Sequence, residues 1–367
     1  MTPRVLFVGR GRLSLPLEPW LQKKWDALGE VLDLRVLNAG AGHGDPRFTL
    51  LPGAAQSFYP RLPLAVAREL RRFPADAIVA SDPFVGLAAR AGRALARSHA
   101  KLVVEVHGDP RTFTRAYGSD VRKLLAPIAD RAARAGIRGA DATRALSPFT
   151  SSLVREARGR PATASFATYS DLDAFADPPP APIPSERRVV FVGALEQYKN
   201  VDRLADAWRA VVAALPDATL AIVGDGARRA VVERLATELP GNVEHHPRLS
   251  PADVVAQLDA ARALVLPSWP EGLGRVVLEA FARGRPVVGT DGGGIPDIVT
   301  DDVDGILVPR ADTVALSAAL TRVLRDDELV ERLGAAARTT YRKWHQTPED
   351  FARSYRELIE RALAGAA

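Results

Sequence analysis

The 367-residue chain is 47% hydrophobic and 25% charged, which gives room for two domains and is unlike a disordered or fibrous protein. It has no cysteine, which excludes disulfides, thiolate nucleophiles and thiolate zinc sites and fits a reducing, cytoplasmic setting. The net charge of +5 is uneven: residues 1–176 carry 26 basic against 16 acidic side chains, and the remainder 23 against 28.

From the N-terminus, strand-like runs at RVLFV (4–8), VLDLRVL (31–37), DAIVA (76–80), KLVVEV (101–106) and ATRAL (142–146) alternate with helical patterns. The first run meets Gly-Arg-Gly-Arg at once, unlike a secretory signal. No apolar run approaches the roughly 18 residues of a membrane span. The half-proline segment DPPPAPIPSE (177–186) reads as a stiff, extended linker. Beyond it the rhythm resumes, with strands at 188–193, 218–224, 242–246, 263–267, 285–290 and 305–309 and helices such as VDRLADAWRAVVAAL (201–215). The stretch 312–364 is mostly helical by pattern. Strands that are apolar on both faces and separated by helices imply doubly wound parallel sheets. The expectation is an α/β protein with a domain at 1–176, the linker, a second domain at 187–345, and a segment 346–367. The helix FARSYRELIERAL (351–363) of that last segment is expected to pack back on the first domain. Ligands of such sheets sit at the carboxyl ends of strands, where loops turn into helix N-termini.

That rule directs attention to LVLPSWPEGLGRVVLEAFARGRPVVGTDGGGIPDIV (264–299), which reads as strand, loop, helix, strand, glycine-rich loop, helix. The loop holds Glu271, Gly272, Leu273 and Gly274, and the helix begins near Arg275 and Val276. Glycines let backbone N–H groups approach a ligand, and a helix N-terminus offers unpaired donors and a favourable dipole to a diphosphate. Glu279, one turn into the helix, has two oxygens that match the vicinal hydroxyls of a ribose. Taken singly, each glutamate has a plainer reading: Glu271 favouring a helix dipole, Glu279 pairing with Arg283 at i+4.

Pro267-Ser268, Glu271-Gly272, Glu279-Ala280, Gly284-x-Pro286-Val287-Val288 and Gly292-Gly293 together resemble the signature of the retaining glycosyltransferases of the GT-B fold, family 4. The resemblance runs through most of the second half and more weakly through the first. It implies two Rossmann-like domains facing across a cleft, the second binding a nucleotide-diphosphate sugar and the first an acceptor. It also implies that Lys199, in FVGALEQYKN (191–200), holds the donor diphosphate, although Ala194 stands where the family has an arginine. His107, at the end of KLVVEVHGDPRTF (101–113), would lie beside the transferring sugar, with Asp109 either orienting it or capping the next helix. Glu271 would contact the sugar. In GRGRLSLPL (9–17), Gly11 would bring main chain to the donor phosphate with Arg10 or Arg12 in reach; the plainer reading is a tight turn with solvated arginines. Backbone near Arg248-Leu249 would meet the base.

The implied activity is retaining transfer of a hexosyl unit to an acceptor hydroxyl of a glycan, glycolipid or small molecule, without cofactor or metal. A nucleotide-sugar epimerase of the same architecture and a catalytically inactive nucleotide-sugar-binding protein are the alternatives. Asp171-x-Asp173 and Asp302-x-Asp304 resemble metal-binding pairs of the other major glycosyltransferase fold, but such pairs arise often by chance. Adjacent His245 and His246 point to opposite faces of a strand and do not chelate one ion. The helix ARELRRF (67–73) and Arg122-Lys123 suit either an anionic membrane surface or a solvated face. No aromatic–basic interleaving accompanies the charge, so nucleic acid is not an expected partner.

Overall fold

A computed structural model describes residues 2–53, 55–111, 124–177 and 179–365. The described chain forms two units, Met1–Ser170 with Gln346–Ala367, and Asp171–His345. Arg122 and Lys123 lie outside the described residues.

In the first unit, β1 (Arg4–Ser14), β2 (Asp33–Ala41), β3 (Phe48–Leu51), β4 (Ala77–Ala80), β5 (Lys101–Val106), β6 (Ala142–Ala145) and β7 (Ala164–Ser165) form one parallel sheet. Its order is β3-β2-β1-β4-β5-β6-β7. The helices between them include α1 (Pro19–Val31), α2 (Ala55–Arg72), α3 (Pro83–Ala96), α4 (Ala126–Arg138) and α5 (Pro148–Arg158). Alternation along β1 explains the two-sided burial: Val5 and Phe7 face one apolar layer, Leu6 and Val8 the other. The C-terminal helix Pro348–Leu363 completes the first of these layers with Phe351, Tyr355, Leu358 and Ile359, one face at helical spacing. Thr347 and Asp350 start it with a reciprocal capping box.

Two findings depart from the sequence expectation. The segment 9–14 is not a tight turn: β1 runs on to Ser14, its register against β2 shifting between Gly9 and Leu13. The extra residues are absorbed as a bulge, a device that re-aims side chains near the end of a strand. Edge strands β3 and β7 were not foreseen, being short and only partly buried.

The second unit has strands β8 (Arg188–Val192), β9 (Thr219–Val223), β10 (Val243–His246), β11 (Ala263–Leu266), β12 (Val287–Thr290) and β13 (Gly305–Val308). They are parallel and ordered β10-β9-β8-β11-β12-β13. The helices are α6 (Asp173–Ala176), α7 (Val201–Ala214), α8 (Arg229–Glu238), α9 (Pro251–Asp259), α10 (Arg275–Ala282), α11 (Thr313–Arg325) and α12 (Asp327–Trp344). Leu172 and Phe175 bury in its core. Two buried guanidiniums tie down the proline-rich segment: Arg283 donates to the Pro179 carbonyl, and Arg285 to those of Ala181 and Pro182. Among the described residues, no helix is long and apolar enough to cross a membrane.

Candidate functional site

In each sheet the strand order reverses direction beside the first strand, between β8 and β11 in the second unit and between β1 and β4 in the first. Loops leaving the carboxyl ends on either side of such a reversal diverge and leave a crevice.

In the second unit those loops follow β8 and β11. After β8, a single 3-10 turn, Gln197–Lys199, buries Lys199. The turn is tied to the other loop, since Trp269 N donates to the Tyr198 carbonyl at 2.8 Å and Asn200 Nδ2 to the Pro267 carbonyl at 2.9 Å. This brings Lys199 Nζ to 2.6 Å from Glu271 Oε2, with the two side chains 9% and 14% exposed. The structure thus joins two residues 72 positions apart in the chain.

Glu271 is held through its backbone. Its carbonyl accepts from Gly294 N at 2.8 Å, and Gly293, at φ 68°, lies so close that a Cβ there would meet the Glu271 carbonyl oxygen at 2.5 Å. The run Gly292–Gly294 therefore seats the Glu271 loop. Gly272 and Leu273 lead to Gly274, whose φ of 81° is left-handed and starts α10. The amides of Arg275 and Val276 open the helix and have no intrahelical acceptor. The Val276 side chain is buried, which leaves its backbone amide as the group it offers at the helix start.

Glu279 is buried on α10 and paired with Arg275 Nε at 2.9 Å. The alternative pairing with Arg283 gives way to this one, and Arg283 instead meets Asp259 at 2.6 Å. Burial raises the Glu279 carboxyl above its ordinary value, with Arg275 opposing. Arg248 is exposed and Leu249 partly buried beyond β10, the outer strand of the sheet, at the same carboxyl edge. Ala194 is exposed in the loop after β8.

The first unit groups His107 and Gly11 around one cavity. His107 Nε2 lies 3.2 Å from Glu105 Oε2, and Glu105 is in turn bound by Arg144 Nη1 and the Tyr355 hydroxyl. Burial pushes the Glu105 carboxyl up, but Arg144, His107 and Tyr355 together outweigh it and hold the group well below the usual carboxylate range. Glu105 was missed in the sequence, although residues i and i+2 on a strand share a face. Asp109 does not orient His107: its carboxylate accepts from Arg111 N at 2.9 Å and Arg111 Nε at 2.8 Å, and the helix it was expected to cap lies largely outside the described residues. Arg10 pairs with Asp82, and Arg12 is exposed beside the cavity.

The remaining candidates have local roles. Asp304 is buried, accepting from Thr300 N and the Thr340 hydroxyl, and Asp302 pairs with Arg322 and Arg332. Asp171 accepts from Asp173 N. His245 Nε2 lies 2.9 Å from the Gly224 carbonyl. Among the described residues no group of three or more His, Asp or Glu converges as a metal site.

Paired doubly wound parallel sheets, one carrying a glycine-started helix beside a buried lysine, define a two-domain α/β protein of the GT-B architecture. In structural comparison, a sucrose-phosphate synthase from Thermosynechococcus elongatus superposes over 100% of both chains with a TM-score of 0.76 at 19% identity. Residues 176–340 match the family described as glycosyl transferases group 1, and residues 18–165 match a glycosyl transferase 4-like domain. The chain belongs to this glycosyltransferase family. Among its relatives is a GDP-mannose-dependent monoacylated alpha-(1-6)-phosphatidylinositol monomannoside mannosyltransferase of Corynebacterium glutamicum. It is 39% identical over 147 residues, 38% of each chain. A D-inositol 3-phosphate glycosyltransferase of Segniliparus rotundus is 33% identical over 186 residues, 48% of this chain and 41% of the relative. The matches span about two fifths of these relatives' length.

Proposed function

We propose that the protein is a retaining glycosyltransferase that moves a hexosyl unit from a nucleotide-diphosphate sugar to an acceptor hydroxyl. The observation that carries this reading is the 2.6 Å Lys199–Glu271 pair beside the amino end of α10. A diphosphate at that helix end meets the unpaired amides of Arg275 and Val276 and the Lys199 ammonium. Lys199 exchanges its Glu271 partner for phosphate oxygens, and Glu271 becomes free to accept from a sugar hydroxyl. When the anomeric C–O bond breaks, its electron pair goes to the departing phosphate oxygen, whose charge Lys199 and the helix dipole stabilise. The acceptor oxygen bonds the anomeric carbon on the same face, and its proton passes to the departing oxygen, so configuration is retained.

Glu279 accepts from the ribose hydroxyls, and the backbone near Arg248 and Leu249 meets the base. His107, oriented by Glu105, donates to a sugar hydroxyl, and Gly11 brings main chain towards the donor phosphate. The phosphate charge is carried without a metal. The relatives' names carry inositol phosphate and phosphatidylinositol mannoside, which supports a small hydroxylated acceptor or a glycolipid head group. The exposed Arg68, Arg71 and Arg72 on α2 suit peripheral contact with an anionic membrane on the cytoplasmic side.

Calorimetric titration with GDP-mannose, UDP-glucose and UDP-N-acetylglucosamine tests the reading, followed by slow hydrolysis of whichever binds. At least one binds, and Glu271→Ala abolishes its turnover. Binding of none of them overturns the proposal.

A further inference from the structure

The edge of the first sheet opposite Gly11 and His107 holds a second cavity, of about 580 Å³. It lies where α2 and α3 end and β4 and β5 begin. Its charged lining is Arg71, Arg97, His99 and Lys101 against one carboxylate, Asp76. That carboxylate is already engaged, since Asp76 Oδ2 accepts from Arg4 N at 2.8 Å. Arg71 Nη2 donates to the Leu95 carbonyl at 2.9 Å, which positions the guanidinium and uses one of its five N–H donors. Among the described residues, none of Arg71, Arg97 and Lys101 has a carboxylate at ion-pair distance.

The matching edge of the second sheet shows what compensated charge looks like in this chain. A cavity of about 820 Å³ lies there, and its strand-edge arginines are paired: Arg187 with Asp217 and Arg188 with Glu244, each at 2.7 Å, and Arg262 with Asp327. A general surplus of arginine therefore does not account for the unmet charge in the first unit. Arg71 and Arg97 suit the negative ends of α2 and α3, but Lys101, at the head of β5, serves no helix end. Arg97 also carries a backbone cost. It ends α3 at φ 53° and ψ 37°, the left-handed region in which an L-residue's Cβ crowds the next carbonyl and glycine is the usual helix stop. Glycine there would relieve the strain and take a charge out of the cavity.

We propose that this cavity binds a compact polyanion, a small molecule carrying two or more phosphates. Arg71, Arg97 and Lys101 hold the phosphate oxygens through charge-assisted hydrogen bonds, and the His99 ring adds a further donor. Three fixed cations facing one engaged carboxylate exceed what a single phosphate needs, so a molecule with several is preferred. The volume falls among those of ligand pockets, which run from about 300 to 1,000 Å³. The site lies at the amino edge of the sheet, away from the edge given to donor and acceptor, and rests on nothing in the transferase reading. A free oligophosphate and the head group of a polyphosphorylated lipid share this chemistry.

The test is calorimetry on the full chain with tripolyphosphate and orthophosphate. Tripolyphosphate also suits the donor site, so the titration is run in a Lys199→Met background. If that variant does not fold by circular dichroism, the wild-type chain is fitted to two sites, of which Lys101→Met removes one. Tripolyphosphate binds one to one and about tenfold or more tighter than orthophosphate, and Lys101→Met weakens it about tenfold. Arg97→Gly weakens it to a similar extent while raising the melting temperature, a pairing that a purely structural arginine would not give. Arg155→Met, which removes an exposed arginine on α5, leaves the affinity within about twofold. No binding at this site, equal losses in Arg155→Met and Lys101→Met, or unchanged affinity in both Lys101→Met and Arg97→Gly overturns the proposal. Sedimentation with phosphatidylcholine vesicles containing phosphatidylinositol 4,5-bisphosphate separates the sources. Pelleting that tripolyphosphate reverses and Lys101→Met abolishes identifies a lipid head group, and tripolyphosphate binding without such pelleting identifies a free compound.

Discussion

Glu105 is bound by three side chains, Arg144, Tyr355 and His107, near the carboxyl end of β5. It sits in the buried run KLVVEV, where a single carboxylate looks like an exception to an apolar pattern. Its partners, Arg144 and Tyr355, are 39 and 250 residues away, so neither spacing nor local pattern connects them. Glu105→Gln leaves the Arg144 guanidinium, itself 1% exposed, without its counter-charge. Breaking a buried pair from one side costs about 3–5 kcal/mol, and urea unfolding at pH 7 should show a loss of that size. A loss under about 1 kcal/mol would mean that the Arg144 charge is met elsewhere. Lys24 offers a second measurement with the opposite sign. Its ammonium titrates at about 8 in the folded chain against an ordinary 10.5. Below pH 8 both states hold the proton and the burial penalty is fully present. Between 8 and 10.5 the unfolded chain binds the proton that the folded one has released, so stability rises with pH. Lys24→Met removes the penalty, at most about 3 kcal/mol at pH 7. The variant is therefore the more stable at pH 7, and the gap narrows as pH approaches 10.5. A gap that widens with pH would contradict the buried ammonium.

At the scale of elements, what was legible is what depends on local pattern. Strands apolar on both faces announced the parallel sheets, and the run from Leu264 to Val299 marked strand, loop and helix where β11, α10 and β12 lie. Edge strands escaped because their burial depends on neighbours: all four residues of β3 are only partly buried. The prolongation of β1 escaped because Gly-Arg-Gly-Arg has the composition of a turn, and only pairing with β2 keeps it extended through the bulge. Lys199 and Glu271 were each legible as candidates, but their contact was not, since it depends on how the loops after β8 and β11 are tied together. The start of α10 is the element on which the donor site turns. Gly274 has left-handed backbone, and a Cβ there would lie 3.4 Å from Glu271 Cγ. Gly274→Ala imposes the left-handed penalty of about 1–2 kcal/mol on an L-residue, or else relaxes by swinging the first turn of the helix away. The first outcome is read in urea unfolding, the second as weaker nucleotide-sugar binding with stability nearly unchanged. A variant unaffected in both would show that the left-handed turn is dispensable.

For the molecule as a whole, the two units differ in how the chain composes them. The second is one continuous stretch, Asp171–His345, whereas the first needs Gln346–Ala367 returned to it. The C-terminal helix gives the first unit Phe351, Tyr355, Leu358 and Ile359, each at most 3% exposed. Tyr355 also packs edge-on against Phe7 at 5.5 Å and binds Glu105 through its hydroxyl. Truncating one buried aromatic or leucine to alanine costs about 2–5 kcal/mol, so losing four together exceeds the roughly 5–15 kcal/mol that holds a typical domain folded. A chain ended at His345 should therefore lose the first unit and keep the second. The segment 171–345, made alone, should unfold cooperatively in calorimetry and still bind a nucleoside diphosphate. Every contact described for Lys199, Glu271 and the start of α10 lies within that segment. The same chain ended at His345 should show one thermal transition where the full chain shows two, or a single one of larger enthalpy. If the shortened chain kept the full unfolding enthalpy, the C-terminal helix would be an appendage to the first unit and not part of its core. If the segment 171–345 failed to fold, the second unit would owe its stability to residues outside its own sequence.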